Sequence, residues 1–293
     1  LRQDAGRTAR ASVVITFRNH PDSVLRPNFK PRFLTTVEER LRLIKDTGVD
    51  VVAPITFDLD LSRLRAREFV GLLQEPMRMK QLIVGPDFAM GYKREGDVST
   101  LTALGEEMEF TVGVVEPLIG DDGEVVKSTS ARAALSRGEM ARASNLLGRS
   151  FTLSGKVVRG HGRGGPMGFP TANLEVAEGL AVPGNGIYAT WAHVGEARYM
   201  AATSIGTRPT FDETERTMEA FILDFDGDLY RKDIRLEFVE RLRDEERYDS
   251  VEALKEHAHE KDYLPVKGLK GLREAIAGYI RRSERMHCTW EDV

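Results

Sequence analysis

The residues with the clearest chemical potential lie between Gly155 and Leu174, in the run Gly-Lys-Val-Val-Arg-Gly-His-Gly-Arg-Gly-Gly-Pro-Met-Gly-Phe-Pro-Thr-Ala-Asn-Leu. Gly160, Gly162, Gly164 and Gly168 let the backbone take positive φ and come close to a ligand. Successive free N–H groups in such a loop can form an anion-binding concavity, and Arg163 adds a cation. Just beyond, the Thr171 hydroxyl and the Asn173 carbonyl are oxygen ligands of the hard-cation type. Phosphate together with Mg²⁺ is the chemistry these residues suggest. Gly160-His161-Gly162-Arg163-Gly164-Gly165 also satisfies the dinucleotide pattern G-x-G-x-x-G. That pattern needs a helix opening at its last glycine, and Pro166, Gly168 and Pro170 oppose one. A mobile surface loop is the plain alternative.

A second constellation is Ser128-Thr129-x-x-Arg132. At a helix start it would present free N–H groups to phosphate, with Arg132 one turn in as a forked cation. Ser128 and Thr129 are also ordinary N-cap residues. His20 stands before Pro21, and Asp87 and Phe88 stand between Gly85 and Gly91. Each segment alone has a turn composition. Asp224, Asp226 and Asp228 have the spacing of an acidic metal loop but lack the remaining EF-hand ligands, so a hairpin turn is expected.

The elements that must position these groups change character along the chain. In the first half, strand-like runs at Arg10–Phe17, Val49–Ile55, Gln81–Val84 and Phe110–Val115 alternate with helical patterns. The helices are expected after Thr36, over Arg67–Leu73, Val98–Glu107 and Ser128–Ser136, and over Met140–Leu147. Alternation of this kind predicts an α/β domain with a mainly parallel sheet. Its ligands would sit at the carboxyl ends of the strands. From Phe151 onward, short strands dominate: Phe151–Val158, Gly186–His193, Arg198–Ser204, Thr217–Phe225 and Asp233–Arg241. With turns at Pro183–Gly186 and Asp226–Asp228, they predict a small antiparallel barrel or sandwich. Helices are expected over about Ser250–Glu260 and Lys270–Arg285.

Read in order, these motifs resemble the bacterial bifunctional riboflavin kinase/FMN adenylyltransferase (FAD synthetase) family. Gly-Phe-Pro-Thr-Ala-Asn-Leu after the Gly/Arg-rich loop is similar to the riboflavin kinase signature. Pro183-Gly184-x-Gly186-Ile187-Tyr188-Ala189, Ser204-Ile205-Gly206-Thr207-Arg208-Pro209-Thr210-Phe211, Met218-Glu219-x-Phe221 and Leu242-Arg243-x-Glu245-x-x-Tyr248 extend it. Thr16-Phe17-x-x-His20-Pro21, Val84-Gly85-x-Asp87-Phe88-x-x-Gly91 and Ser128-Thr129-x-x-Arg132 resemble the adenylyltransferase half.

The resemblance implies a nucleotidyltransferase-like α/β domain at 1–148. A mainly antiparallel β-barrel kinase domain at 149–262 and a helical C-terminal extension at 263–293 would follow. It implies ATP as co-substrate, Mg²⁺ as cofactor, and riboflavin, FMN and FAD as substrates and products. Thr171 and Asn173 match the Mg²⁺–nucleotide ligands, and Glu219 the carboxylate that accepts the proton of the riboflavin 5′-hydroxyl. Arg243 and Tyr248 match the flavin end, and His20, Asp87, Phe88, Ser128, Thr129 and Arg132 the adenylyltransferase site. By alternation alone, Glu219 also reads as a solvent-facing strand residue before Phe221 and Leu223.

Three departures stand out. Gly165 and Ser204 occupy positions where the family commonly has Arg and Asn. The fifteen residues before Thr16 carry none of the Gly-x-Phe-Asp-Gly-x-His-x-Gly-His segment with which that family opens. The expectation is an N-terminally incomplete chain lacking that first strand and histidine motif. The alternative is a monofunctional riboflavin kinase whose first half is a non-catalytic flavin- or nucleotide-binding module.

Composition bounds the partners. The net charge of -4 opposes a nucleic-acid footprint. No apolar run approaches the ~18–20 residues of a membrane helix. The apolar run after Arg2, Arg7 and Arg10 is too short for a signal peptide. Cys288 is the single cysteine, so no intrachain disulfide forms and a reducing, cytoplasmic setting is expected. Small-molecule substrates are the expected partners, and self-association stays open.

Overall fold

The computed structural model describes residues 1–121, 123–160, 171–209, 214–244 and 265–283. Two compact units divide the chain, Leu1–Val126 and Lys127–Val293.

The first unit is built on parallel pairs. β1 (Val13–Phe17) pairs in parallel with β2 (Val51–Ile55), and the crossover carries the helix Val37–Asp46. The Thr36 hydroxyl caps that helix by accepting from the Glu39 N–H at 3.1 Å, and Glu38 and Glu39 complement the first-turn dipole. Both strand entries are tied together: the Ser12 N–H and hydroxyl donate to Asp50 Oδ2 at 2.7 and 2.6 Å. Those two bonds hold the Asp50 carboxyl below its usual range. β3 (Gln81–Val84) pairs in parallel with β6 (Thr111–Val114). Between them lie the short antiparallel pair β4 (Ala89–Met90) and β5 (Gly96–Asp97) and the helix Val98–Met108. Buried Val70, Leu101 and Phe110 form one core cluster of this unit, with Leu82 and Val112 packed against it. The expected parallel pairing is present, as two separate two-stranded ladders.

The second unit is a closed six-stranded barrel with the order β10-β11-β8-β7-β12-β9 and every neighbour antiparallel. Its strands are β7 (Phe151–Val158), β8 (Thr171–Val176), β9 (Gly186–Val194), β10 (Ala197–Pro209), β11 (Thr214–Ile222) and β12 (Asp233–Arg243). β8 was not anticipated from sequence, because it follows directly on a Gly/Pro-rich run that ends at Pro170. Alternate residues fill the interior. Phe151, Leu153, Leu174, Ile205, Leu236 and Phe238 are all buried. The Tyr188 ring meets Phe238 edge-on at 5.5 Å, and its hydroxyl donates to the Gly184 carbonyl at 2.6 Å. Burial pushes that phenol up.

The helices Ser128–Arg137 and Met140–Leu147 belong to this second unit, although the sequence reading placed the boundary after 148. Gly138 joins them in the left-handed conformation (φ 74), where a Cβ would stand 2.3 Å from the Arg241 side chain of β12. The Gly184 N–H donates to the Leu135 carbonyl at 2.9 Å. These helices therefore pack against barrel strands and loops.

β9 is buried on both faces. Its outward Ala189 and Trp191 join Leu223 and Val239 against Leu272, Ala275 and Ile276 of the helix Pro265–Ser283. That helix begins earlier than the expected Lys270. The other helix expected near Ser250 lies outside the described residues. A polar network seals the helix–barrel seam. The Tyr279 hydroxyl donates to Glu237 Oε1 at 2.7 Å and lies 3.0 Å from the Ser150 hydroxyl. His193 Nε2 lies 2.9 Å from Glu237 Oε2, and Arg235 Nη2 lies 3.2 Å from His193 Nδ1. The guanidinium can only donate, so Nδ1 accepts and Nε2 carries the proton given to Glu237.

Burial raises the Glu237 carboxyl, but the bonds from Tyr279, His193 and Ser150 outweigh it and hold the group below the usual 4.5. A depressed acid contributes stability above its unfolded value, and that contribution is lost as pH falls through the folded value. Acidification from pH 7 to below about 4 will therefore loosen this seam. Tyr279→Phe will cost about 1–2 kcal/mol at pH 7 and shrink this acid-dependent part, as urea titrations at both pH values will show. An equal loss at both pH values would refute the coupling.

Candidate functional site

The site is assembled by strand register. On β11, Met218 and Ala220 point inward and are buried, so Glu219 between them faces outward and is half-buried. On β8, Ala172 and Leu174 are likewise inward, which turns Thr171 and Asn173 outward. β11 pairs with β8 so that Glu219 stands opposite Asn173 and Phe221 opposite Thr171. Opposite residues on one face lie about 4.5–5.5 Å apart at Cβ. The Thr171 hydroxyl donates to Glu219 Oε2 at 3.4 Å. Three residues separated by up to 48 positions in sequence thus share one patch.

The glycine loop enters this patch at its first residue. Asn173 also stands opposite Val158, the last residue of β7, and Gly160 follows two residues later. A Cβ on Gly160 would lie 2.2 Å from Asn173 Nδ2 and 2.8 Å from its Oδ1. Glycine is required there because the Asn173 amide occupies the space a side chain would need. Gly162, Arg163, Gly164 and Gly168 lie outside the described residues, as does Tyr248.

The patch suits a small hard cation. Thr171 and Asn173 supply neutral oxygens and Glu219 a carboxylate, too few to enclose an ion. Mg²⁺ typically keeps waters and substrate phosphates alongside one or two protein oxygens. Among the described residues no group of three or more His, Cys, Asp and Glu could hold a metal.

Arg243 joins the same lateral row. β12 has register shifts between Phe238 and Glu240 and between Arg241 and Arg243, and these bulges bring Arg243 opposite Ile187 of β9. Ile187 stands opposite Ser204 of β10, and Ser204 opposite Glu219. The row therefore reads Arg243, Ile187, Ser204, Glu219, Asn173, Val158 around the barrel. Arg243 Nη1 donates to the Asp244 carbonyl at 3.1 Å. Ser204, marked in the sequence only as a departure from the family's usual Asn, joins the row through strand pairing. His193, for which sequence suggested no role, belongs to the helix seam.

In the first unit, His20 follows β1 and Asp87 and Phe88 follow β3, both at carboxyl ends of parallel strands. The Asp22 N–H donates to His20 Nδ1 at 3.1 Å, so the neutral ring carries its proton on Nε2. The ring lies on Phe29 at 4.6 Å. Asn19 bridges the strand ends through two bonds with Phe57, at 2.8 and 2.9 Å. Phe88 closes a turn by donating to the Gly85 carbonyl at 3.2 Å, and Asp87 is exposed. Ser128, Thr129 and Arg132 lie at the start of Ser128–Arg137 in the second unit. Arg132 Nη1 donates to the Ser128 hydroxyl at 3.2 Å. Asp224 is left-handed (φ 54) and Asp228 Oδ1 accepts from the Tyr230 N–H at 2.8 Å, as a turn requires.

Comparison with known proteins separates the two halves in the same order. The riboflavin kinase family pattern matches residues 147–266, and the FAD synthetase pattern residues 1–130. The bifunctional riboflavin kinase/FMN adenylyltransferase of Escherichia coli K12 is 35% identical, over 86% of this chain and 81% of that protein. The Listeria monocytogenes protein of the same description is 31% identical, over 86% of this chain and 81% of its own length. Among solved structures, a Streptococcus pneumoniae protein described as a macrolide-efflux protein superposes with a TM-score of 0.80 and 28% identity. It covers 89% of this chain and 85% of that one. Among the described residues of this chain, no helix is long and apolar enough to cross a membrane.

Proposed function

Because the chain belongs to the bifunctional riboflavin kinase/FMN adenylyltransferase family, we propose a residue-level division of labour for its two reactions. The protein phosphorylates riboflavin to FMN and adenylylates FMN to FAD. With both family patterns and bifunctional relatives matched, the monofunctional alternative is not favoured.

The observation that carries the kinase assignment is the shared patch of Thr171, Asn173 and Glu219, with Gly160 packed on the Asn173 amide. Glu219 accepts the proton of the riboflavin primary alcohol as its oxygen attacks the γ-phosphorus of ATP and ADP departs. Thr171 and Asn173 would hold Mg²⁺, which when bound offsets negative charge on the ATP phosphates. The loop from Gly160 through Gly162, Arg163, Gly164 and Gly168 covers those phosphates, and Arg243 and Tyr248 contact the flavin. Transfer is in line, so the alcohol must lie on the side of Glu219 away from the nucleotide ligands.

For the second reaction, an FMN phosphate oxygen attacks the α-phosphorus of ATP and pyrophosphate leaves. His20, through Nε2–H, and Asp87 and Phe88 are assigned to that reaction. Ser128, Thr129 and Arg132 are assigned to its phosphate contacts. A reducing compartment, suggested by the single Cys288, is part of this proposal.

Incubation with riboflavin, ATP and Mg²⁺, with FMN and FAD resolved chromatographically, tests both activities. FMN followed by FAD is expected. Absence of FMN would remove the kinase reading, and FMN without FAD the second activity.

A further inference from the structure

Ser204 has no assigned role, yet it sits in the middle of the row that the proposed kinase chemistry uses. It is opposite Glu219 on β11 and opposite Ile187 on β9, and Ile187 in turn is opposite Arg243. Neighbouring strands are about 4.8 Å apart, so Ser204 and Asn173 flank Glu219 at one strand spacing on either side. Thr171 and Asn173 lie on the opposite side of Glu219, on β8. The order along this part of the outer surface is therefore cation ligands, base, Ser204. A riboflavin whose terminal alcohol meets Glu219 from the side away from Thr171 and Asn173 brings its polyol chain over Ser204.

The chemistry of Ser204 fits that passage. Its inward neighbours Thr203 and Ile205 are fully buried, whereas Ser204 is half-buried on the outer face. Among the described residues its hydroxyl has no hydrogen-bond partner. Buried Thr203, one residue away, is satisfied by Thr190 at 2.8 Å. A half-buried hydroxyl beside a carboxylate offers one donor and two acceptor positions to a ligand. Ile187, the next residue in the row, supplies no polar group.

Resting on the kinase reading above, we propose that Ser204 hydrogen-bonds an internal hydroxyl of the riboflavin polyol chain and so holds the terminal alcohol against Glu219. Ser204 is a substrate-positioning residue, and the selectivity it confers is for a hydroxylated side chain over a plain alkyl alcohol.

The test compares wild type with Ser204→Ala and Ser204→Thr on two acceptors. One is riboflavin, and the other is a flavin bearing an ω-hydroxyalkyl chain without internal hydroxyls. Wild-type turnover of riboflavin to FMN establishes the kinase reading independently; its absence would sink that reading and the present one with it. On riboflavin, Ser204→Ala is expected to lower kcat/KM about 3–10-fold, with the KM for ATP unchanged within about twofold. Ser204→Thr, which keeps the hydroxyl, recovers most of that loss. On the alkyl acceptor, wild type and Ser204→Ala become equal, because the contact has no partner to lose. Equal penalties for Ser204→Ala on both acceptors, or no penalty on riboflavin, would overturn the proposal. Thermal unfolding of each variant accompanies the kinetics. A folding defect would lower both acceptors alike and so count against it.

Discussion

Glu219→Gln is expected to lower FMN formation by about 10²–10⁴-fold, the usual contribution of a positioned general base. The amide preserves shape and can still accept from the Thr171 hydroxyl, now 3.4 Å from Oε2, but it cannot take the alcohol proton. The loss will therefore fall on kcat, with the KM for ATP changing little. Folding is spared because Glu219 faces outward on β11 while Met218 and Ala220 supply that strand's core contacts. Single-turnover assays on riboflavin and ATP, with thermal unfolding alongside, will show it. Turnover within a few-fold of wild type would remove Glu219 from the base role.

Gly160→Ala will test the other side of the patch. The added methyl would stand 2.2 Å from Asn173 Nδ2, closer than any real contact, so either the amide or the loop backbone must move. If Asn173 holds the metal–nucleotide, the substitution will raise the KM for ATP about 10–100-fold, the loss expected for a displaced contact to a charged group. Asn173→Ala will reproduce most of that effect. In Gly160→Ala/Asn173→Ala the two losses will not add, because the added methyl no longer meets the amide. Additive losses would show that Gly160 acts through the loop alone.

Much of this was legible in the chain itself. The change from alternating strands and helices to closely spaced strands near residue 150 announces two architectures, because periodicity reports which residues seek a core. Turn and cap chemistry marked the helix after Thr36, confirmed by the Thr36 to Glu39 cap. Other features were hidden for definite reasons. β8 follows a Gly/Pro-rich run and holds Thr171 and Asn173, so its local preferences imitate a turn. Its strand state comes from pairing with both β7 and β11. The helices Ser128–Arg137 and Met140–Leu147 show apolar faces, but a face does not name the core it joins. Trp191 on β9 faces away from the barrel interior, and its cover, the helix Pro265–Ser283, comes from a distant part of the sequence.

The sequence by itself determined the residue types that can do the chemistry: a glycine loop, two neutral oxygens after it, and a glutamate among apolar alternates. Those are local facts, carried by spacing over a few residues. Only the tertiary structure decided that Thr171, Asn173, Ser204, Glu219 and Arg243 lie in one row. That row depends on the registers of β8, β11, β10, β9 and β12, most of them distant in sequence. Register is set by the whole closed barrel filling its interior, since a one-residue slip would turn every one of these side chains to the other face.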